Sequence, residues 1–204
     1  ISTKGDRITD APLSRLGGVG LFTKELEVSL IKQKIDIAVH SAKDVPTELH
    51  DGLIIGATPL REDPHDALIS NNNSNLEKLP DNARIGTSSL RRRAQLLTFR
   101  PDFKILDLRG NLDTRLKKLE TDDLDAIVVA HAGLRRLGYT GPVSQIIPFD
   151  IMLPAVGQGS LCIEIRKDDD RIHKIVSCIN DAQTKTAVEA ERALLAKLQG
   201  GCQV

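Results

Sequence analysis

The sequence predicts an α/β protein with mostly parallel sheets, and three observations carry that reading. Short β-rich runs alternate along the chain with stretches whose apolar residues recur at helical spacing. Several runs are apolar without a break, as in Ala126-Ile127-Val128-Val129-Ala130, the pattern of a strand covered on both faces. Hydrophobic residues make up 40% of the 204, enough for a sizeable core. With four Phe, one Tyr and no Trp, that core must be filled by Leu, Ile, Val and Ala.

Helical spacing begins over Leu21–Lys34 and gives way to a strand over Ile35–Ser41, which Pro46 prevents from continuing. A second strand is expected at Leu53–Thr58. Then come Arg84–Thr87, the helix Leu90–Arg100, the strand Lys104–Leu108, the helix Leu112–Thr121 and the strand Asp125–Ala130. Leu161–Arg166 reads as a strand and Asp168–Asn180 as a helix. A last amphipathic helix, Thr184–Gln199, has an apolar stripe of Ala187, Val188, Leu194, Leu195 and Leu198. Gly200-Gly201 stops it as a glycine cap. Asn71–Asn75 reads as a mobile polar loop. Two proline-bearing segments, 59–64 and 154–159, are either joints or ordinary loops. If joints, residues 65–153 form one domain, 1–59 with 160–180 another, and 181–204 opens a third.

Lys+Arg and Asp+Glu both total 28, so the chain lacks the basic surplus of a general nucleic-acid binder. Its apolar runs are too short to span a bilayer. Three scattered cysteines, Cys162, Cys178 and Cys202, form neither a disulfide framework nor a zinc pattern, which points to a reducing, cytoplasmic setting. Cys162 and Cys178 fall in apolar patterns and read as core residues. Cys202 follows two glycines and reads either as an accessible nucleophile or as an incidental thiol.

Three strand-to-helix junctions carry arginine: Gly86-Thr87-Ser88-Ser89-Leu90-Arg91-Arg92-Arg93, Leu108-Arg109-Gly110-Asn111-Leu112-Asp113-Thr114-Arg115, and Ala132-Gly133-Leu134-Arg135-Arg136. A helix N-terminus already presents unpaired N–H groups and a positive dipole end, so arginine there suits an arriving anion. Together the three would line a cleft for carboxylates or phosphates, held by forked guanidiniums. Solvated helix faces are the bland alternative. In Ile37-Ala38-Val39-His40-Ser41-Ala42-Lys43-Asp44-Val45-Pro46 an apolar strand ends in polar groups. Asp44 could move a proton or stabilise a cation, with Lys43 keeping it ionised. A simple Asp-Val-Pro turn is the alternative.

These motifs, in this order, resemble the porphobilinogen deaminase (hydroxymethylbilane synthase) family. The resemblance rests on His40–Pro46, Gly86–Arg92, Leu108–Arg115, Ala155–Gly159, Glu191–Gln203, Thr3-Lys4-Gly5-Asp6 and Gly20–Leu26. It implies two interleaved domains like those of periplasmic binding proteins, joined by two crossovers, plus the start of a small third α/β domain. It implies that Asp44 is the catalytic carboxylate, assisting loss of ammonia from porphobilinogen and stabilising the azafulvene cation, in four cycles that yield a linear tetrapyrrole. Cys202 would hold the dipyrromethane cofactor by a thioether. Lys43, Arg91, Arg92, Arg109, Arg115 and Arg136 would bind its acetates and propionates, with Thr87, Ser88, Ser89, Gly110 and Asn111 assisting. Arg91 and Arg92 would hold the cofactor, and the later arginines the incoming substrate.

The implied protein is a cytoplasmic monomer of tetrapyrrole and heme biosynthesis, with porphobilinogen as its partner and neither nucleic acid nor membrane. Two departures stand out: Val19 where a Lys is usual, and Ala42 where Met or Leu is usual. The resemblance also implies a further strand before Ile1 and most of a third domain after Val204, so a polypeptide of these 204 residues alone is expected to lack turnover. The rival readings are a non-catalytic two-domain polycarboxylate binder and a scaffold protein; both leave Asp44 and Cys202 without a role.

Overall fold

The structure, a computed structural model, describes residues 23–199. In chain order it contains helix α1 (Lys24–Ile31), strands β1 (Ala38–Ser41), β2 (Leu53–Ala57), β3 (Asp66–Ser70) and β4 (Arg84–Gly86), and helix α2 (Leu90–Phe99). Next come β5 (Lys104–Leu106), α3 (Leu112–Thr121), β6 (Ala126–Ala130), α4 (His131–Arg136) and β7 (Gln145–Ile147). The described chain closes with β8 (Leu161–Arg166), α5 (Asp170–Val176) and α6 (Ala182–Lys197). By contacts it separates into two units, Ile1–Glu62 with Val156–Val204, and Asp63–Ala155. The backbone therefore passes out of the first unit after Glu62 and returns to it at Val156.

The second unit is built on a five-stranded sheet in the order β5-β4-β6-β3-β7. Side chains alternate across a strand, and β3 and β6 use both faces. Leu68, Ala126 and Val128 pack with Ile85, Leu96 of α2 and Met152 on one side. Ala67, Ile69, Ile127 and Val129 pack with Leu119 of α3 and Leu134 of α4 on the other. Burying one such Ile or Leu contributes about 1.5–3 kcal/mol, so the unbroken apolar run 126–130 supports two half-cores at once. Segment 71–75 is tied to the sheet by Asn71 and Ser74. The Asn71 side-chain amide donates to the Leu124 carbonyl at 2.7 Å, and Ser74 N donates to Ser70 Oγ at 2.7 Å.

The first unit holds a three-stranded sheet, β1-β8-β2. Ile163 and Ile165 of β8 face Ile172 and Val176 of α5. On the other side Cys162 packs with Ala42, Val45 and Val188 of α6. The helix α6 starts two residues before its expected position because Asp181 is its cap, accepting from Thr184 N at 2.7 Å. Thr184 and Val188 are buried on it, whereas Leu194 and Leu198 of the expected stripe are 60% and 68% exposed.

The architecture is α/β, but the sheets are not mostly parallel. Among the described residues only β4–β5 and β4–β6 run parallel; β1–β8, β2–β8, β3–β6 and β3–β7 are antiparallel. Continuous apolar runs report burial on both faces, which an antiparallel strand in mid-sheet has equally. Cys178 also differs from expectation. It lies in the 3-10 turn Ser177–Ile179 that ends α5, and is exposed. Cys162 is in the core, where burial pushes its thiol up to about 11.

Candidate functional site

In the first unit β1 ends at Ser41 and runs into a single 3-10 turn, Ala42–Asp44, before Pro46. The turn is anchored from both sides. Ala42 N donates to the Ser160 carbonyl at 2.9 Å, and the Ala42 methyl is buried against Gly157. Gly157 has φ +70, and a Cβ there would lie 2.9 Å from that of Ala42, so the close approach of the two segments requires glycine at 157. Asp44 emerges exposed at the carboxyl end of β1, with Lys43 half-buried beside it. Beneath them His40 Nε2 meets Glu164 Oε2 of β8 at 2.9 Å, both side chains buried. Glu164 Oε1 has no hydrogen-bond partner among the described residues.

In the second unit the loops after β4 and β5 leave the same end of the sheet, because these strands are parallel. Ser88 ties them together, its Oγ donating to the Leu108 carbonyl and accepting from Leu108 N, both at 3.0 Å. Thr87 Oγ1 accepts from Ser89 N at 3.2 Å, and Ser89 caps α2 by accepting from Arg92 N. Asn111 caps α3, its Oδ1 accepting from Thr114 N at 2.9 Å and Thr114 Oγ1 at 2.7 Å. Gly110, at φ +110, is so close to Thr114 that a Cβ would fall 2.6 Å from its methyl. Arg115 Nε donates to the Gly110 carbonyl at 2.9 Å. Arg109 is half-buried and makes no hydrogen bond or ion pair among the described residues.

The arginines of the first junction face an internal acid that the sequence reading overlooked. Asp66 opens β3 and is 0% exposed. Arg92 is itself buried; its Nε and Nη2 donate to Asp66 Oδ1 at 3.0 and 2.7 Å, and its Nη1 to the Val128 carbonyl at 3.0 Å. Arg91 Nη2 lies 2.8 Å from Asp66 Oδ2 and its Nη1 donates to the Leu153 carbonyl. Burial lowers the Arg91 pKa from its ordinary value, Asp66 raises it, and neighbouring Arg92 lowers it further. Two guanidiniums thus share one carboxylate. The signal for Asp66 was an acid heading an apolar run, Asp66-Ala67-Leu68-Ile69, which requires a cation if buried.

Arg136 is placed differently from expectation. The helix α4 begins at His131, so Arg135 and Arg136 occupy its last turn, where the dipole favours a cation without any ligand. The anion argument from a helix N-terminus does not hold for that residue. Cys202, with Gly200-Gly201, lies outside the described residues, as do Thr3–Asp6, Val19 and the opening of the Gly20–Leu26 motif. Among the described residues no cluster of His, Cys, Asp and Glu could hold a metal ion, and no helix is long and apolar enough to cross a membrane.

Comparison with known proteins bears directly on these motifs. Residues 1–174 match the family model described as porphobilinogen deaminase, dipyrromethane cofactor-binding domain. The porphobilinogen deaminase of Brevibacillus brevis is 55% identical over 204 residues, and that of Desulforamulus reducens 54%. In both cases the alignment takes in all of this chain and 66% of the relative, so the chain spans just under two thirds of their length. Among solved structures, the methionine-binding protein MetQ aligns with a TM-score of 0.51 at 15% identity, over 81% of this chain and 78% of that one. The likeness to MetQ is one of fold, that of the periplasmic binding proteins. The family model and the identity over all of this chain together place it in the porphobilinogen deaminase family.

Proposed function

We propose that the chain is the catalytic portion of a hydroxymethylbilane synthase, joining four porphobilinogen units with loss of ammonia on a dipyrromethane primer held through Cys202. The observation that carries this is the charge imbalance around Asp66. Arg91 and Arg92 set two positive charges against one carboxylate in a largely buried place, and an arriving carboxylate would relieve the excess. Arg109, making no ion pair among the described residues, adds a third cation in the same unit. Such residues fit a group in which every pyrrole brings an acetate and a propionate.

When bound, the dipyrromethane would supply the free pyrrole α-carbon to which the first substrate is joined, each later unit adding to the terminal pyrrole of the growing chain. The chain's own residues do the rest. Asp44 holds its carboxylate where positive charge develops as the aminomethyl C–N bond of the substrate breaks and ammonia leaves. Lys43, Arg109, Arg115 and Arg136 bind substrate carboxylates, and Arg91 and Arg92 those of the primer. Thr87, Ser88, Ser89, Gly110 and Asn111 shape the loops that aim them. A cytoplasmic location, a monomeric state, a role in heme biosynthesis and a third domain opening at residue 181 belong to the same proposal.

The test is to give the full chain porphobilinogen and follow ammonia release and tetrapyrrole absorbance, with the mass of the Cys202 peptide measured alongside. The expected result is turnover plus a dipyrromethane adduct that Cys202→Ser abolishes. A protein that binds porphobilinogen but releases no ammonia would be a polycarboxylate binder instead.

A further inference from the structure

We infer that Arg192, on helix α6, is a positioning residue for the Asp44 turn. The turn's geometry leaves carbonyls to be satisfied, because Pro46 has no N–H to donate and the chain after Asp44 is neither strand nor helix. Arg192 supplies the donors. Its Nη1 donates to the Val45 carbonyl at 2.9 Å, and its Nη2 to those of Pro46 at 2.5 Å and Thr47 at 3.3 Å. A planar fork can reach three successive carbonyls in fixed geometry; an ammonium, with one charged nitrogen, cannot reproduce it. Asp44 therefore sits between two anchors. Two residues before it Ala42 is held by the Ser160 carbonyl and by Gly157, and directly after it Val45 is held by Arg192.

The helix that carries Arg192 is itself fixed. Val188, one turn earlier, packs on Ala42 and Val45. Adjacent Glu191 accepts from Arg61 Nη1 and Nη2 at 2.5 and 3.1 Å and from Gly157 N at 2.7 Å. The clamp thus fastens the turn to a braced helix rather than to a loose one. Reaction rate is sensitive to placement of the reacting groups, a shift of 1 Å costing roughly 10²-fold, so a residue that fixes the backbone on which Asp44 stands acts on kcat rather than on substrate affinity.

The inference rests on Asp44 having the role proposed above, and its test separates the two. In the full-length protein, Arg192→Ala should speed amide exchange across residues 42–49 and lower kcat roughly 10- to 10²-fold. KM should stay near the parent value and the dipyrromethane adduct should be retained. Guanidinium ion added to Arg192→Ala should restore part of kcat, and Arg192→Lys should fall between the two and remains informative if the alanine variant does not fold. Unchanged exchange in 42–49, or faster exchange with unchanged kcat, overturns the inference. So does a kcat that falls only in step with lost thermal stability and is not rescued by guanidinium. If the parent protein turns over no porphobilinogen the functional reading falls, while the exchange measurement still decides whether Arg192 holds the turn.

Discussion

Asp44 and Asp66 occupy comparable places in their sheets yet live in opposite surroundings. Asp44 follows the carboxyl end of β1. Asp66 opens β3 opposite Ala130, the last residue of antiparallel β6, and so stands at that strand's carboxyl edge. Asp66 is fully buried and held by two arginines, whereas Asp44 projects from an anchored turn and is exposed. A buried acid with two forked partners is a fixed component of the core, because releasing it would strand cations out of water. An exposed acid on an anchored turn is open to solvent and within reach of an arriving ligand. Residue type and place in the sheet are shared; burial divides the roles.

That contrast can be broken by substitution. The largest effect expected is on stability at Asp66. Asp66→Ala should cost about 3–5 kcal/mol in urea unfolding, because Arg91 and Arg92 are left without their carboxylate. A loss under about 1 kcal/mol would mean that the arginines do not need it. The mirror-image result is expected at Asp44. Asp44→Asn should lower turnover about 10²- to 10³-fold while moving stability by no more than about 0.5 kcal/mol. Destabilisation with normal turnover would make Asp44 a structural turn residue.

A third acid, Asp63, sharpens the comparison because it is intermediate in burial. Partial burial pushes its carboxyl up, but hydrogen bonds from the His65 amide, the His65 ring and the His131 ring hold it down at about 2. A carboxyl depressed on folding adds stability that is complete above its ordinary value near 3.8 and lost as pH falls through about 2. Asp63→Asn should therefore lower the unfolding free energy measured in urea more at pH 6 than at pH 2, by about 1 kcal/mol or less given its exposure. An equal effect at both pH values would assign the contribution to packing.

Much of this was legible in the sequence where the local signal was strong. The run 126–130, the strand-to-helix junctions after 86 and 108, and the His40–Pro46 strand end all appear where apolar continuity, helical spacing and proline place them. Strand β7 escaped notice because three residues, Gln145–Ile147, show no periodicity. Strand β3 was hidden behind Pro64 and an acid whose partners lie 25 and 26 residues further on. Strand direction was misread because burial, not direction, makes a run apolar. The α6 stripe was misread for a related reason: its inner face carries Thr184, Val188, Glu191 and Arg192, and the last two are polar residues whose partners, Arg61, Gly157 and the 45–47 carbonyls, are set by tertiary structure. Local spacing cannot announce such partners.

The position of β8 has a consequence for how the chain is made. Among the described residues β1 and β2 do not pair with each other; each pairs with β8, which lies between them. Residues 161–166 emerge from the ribosome roughly a hundred residues after β2, once all of Asp63–Ala155 has been synthesised. Until then the edges that β8 will occupy are unpaired, able to pair with another nascent chain. The first unit's sheet must wait, since a strand that closes a sheet from so far along the chain forms late. Vectorial synthesis thus completes the arginine-bearing segment before the sheet that presents Asp44 can close.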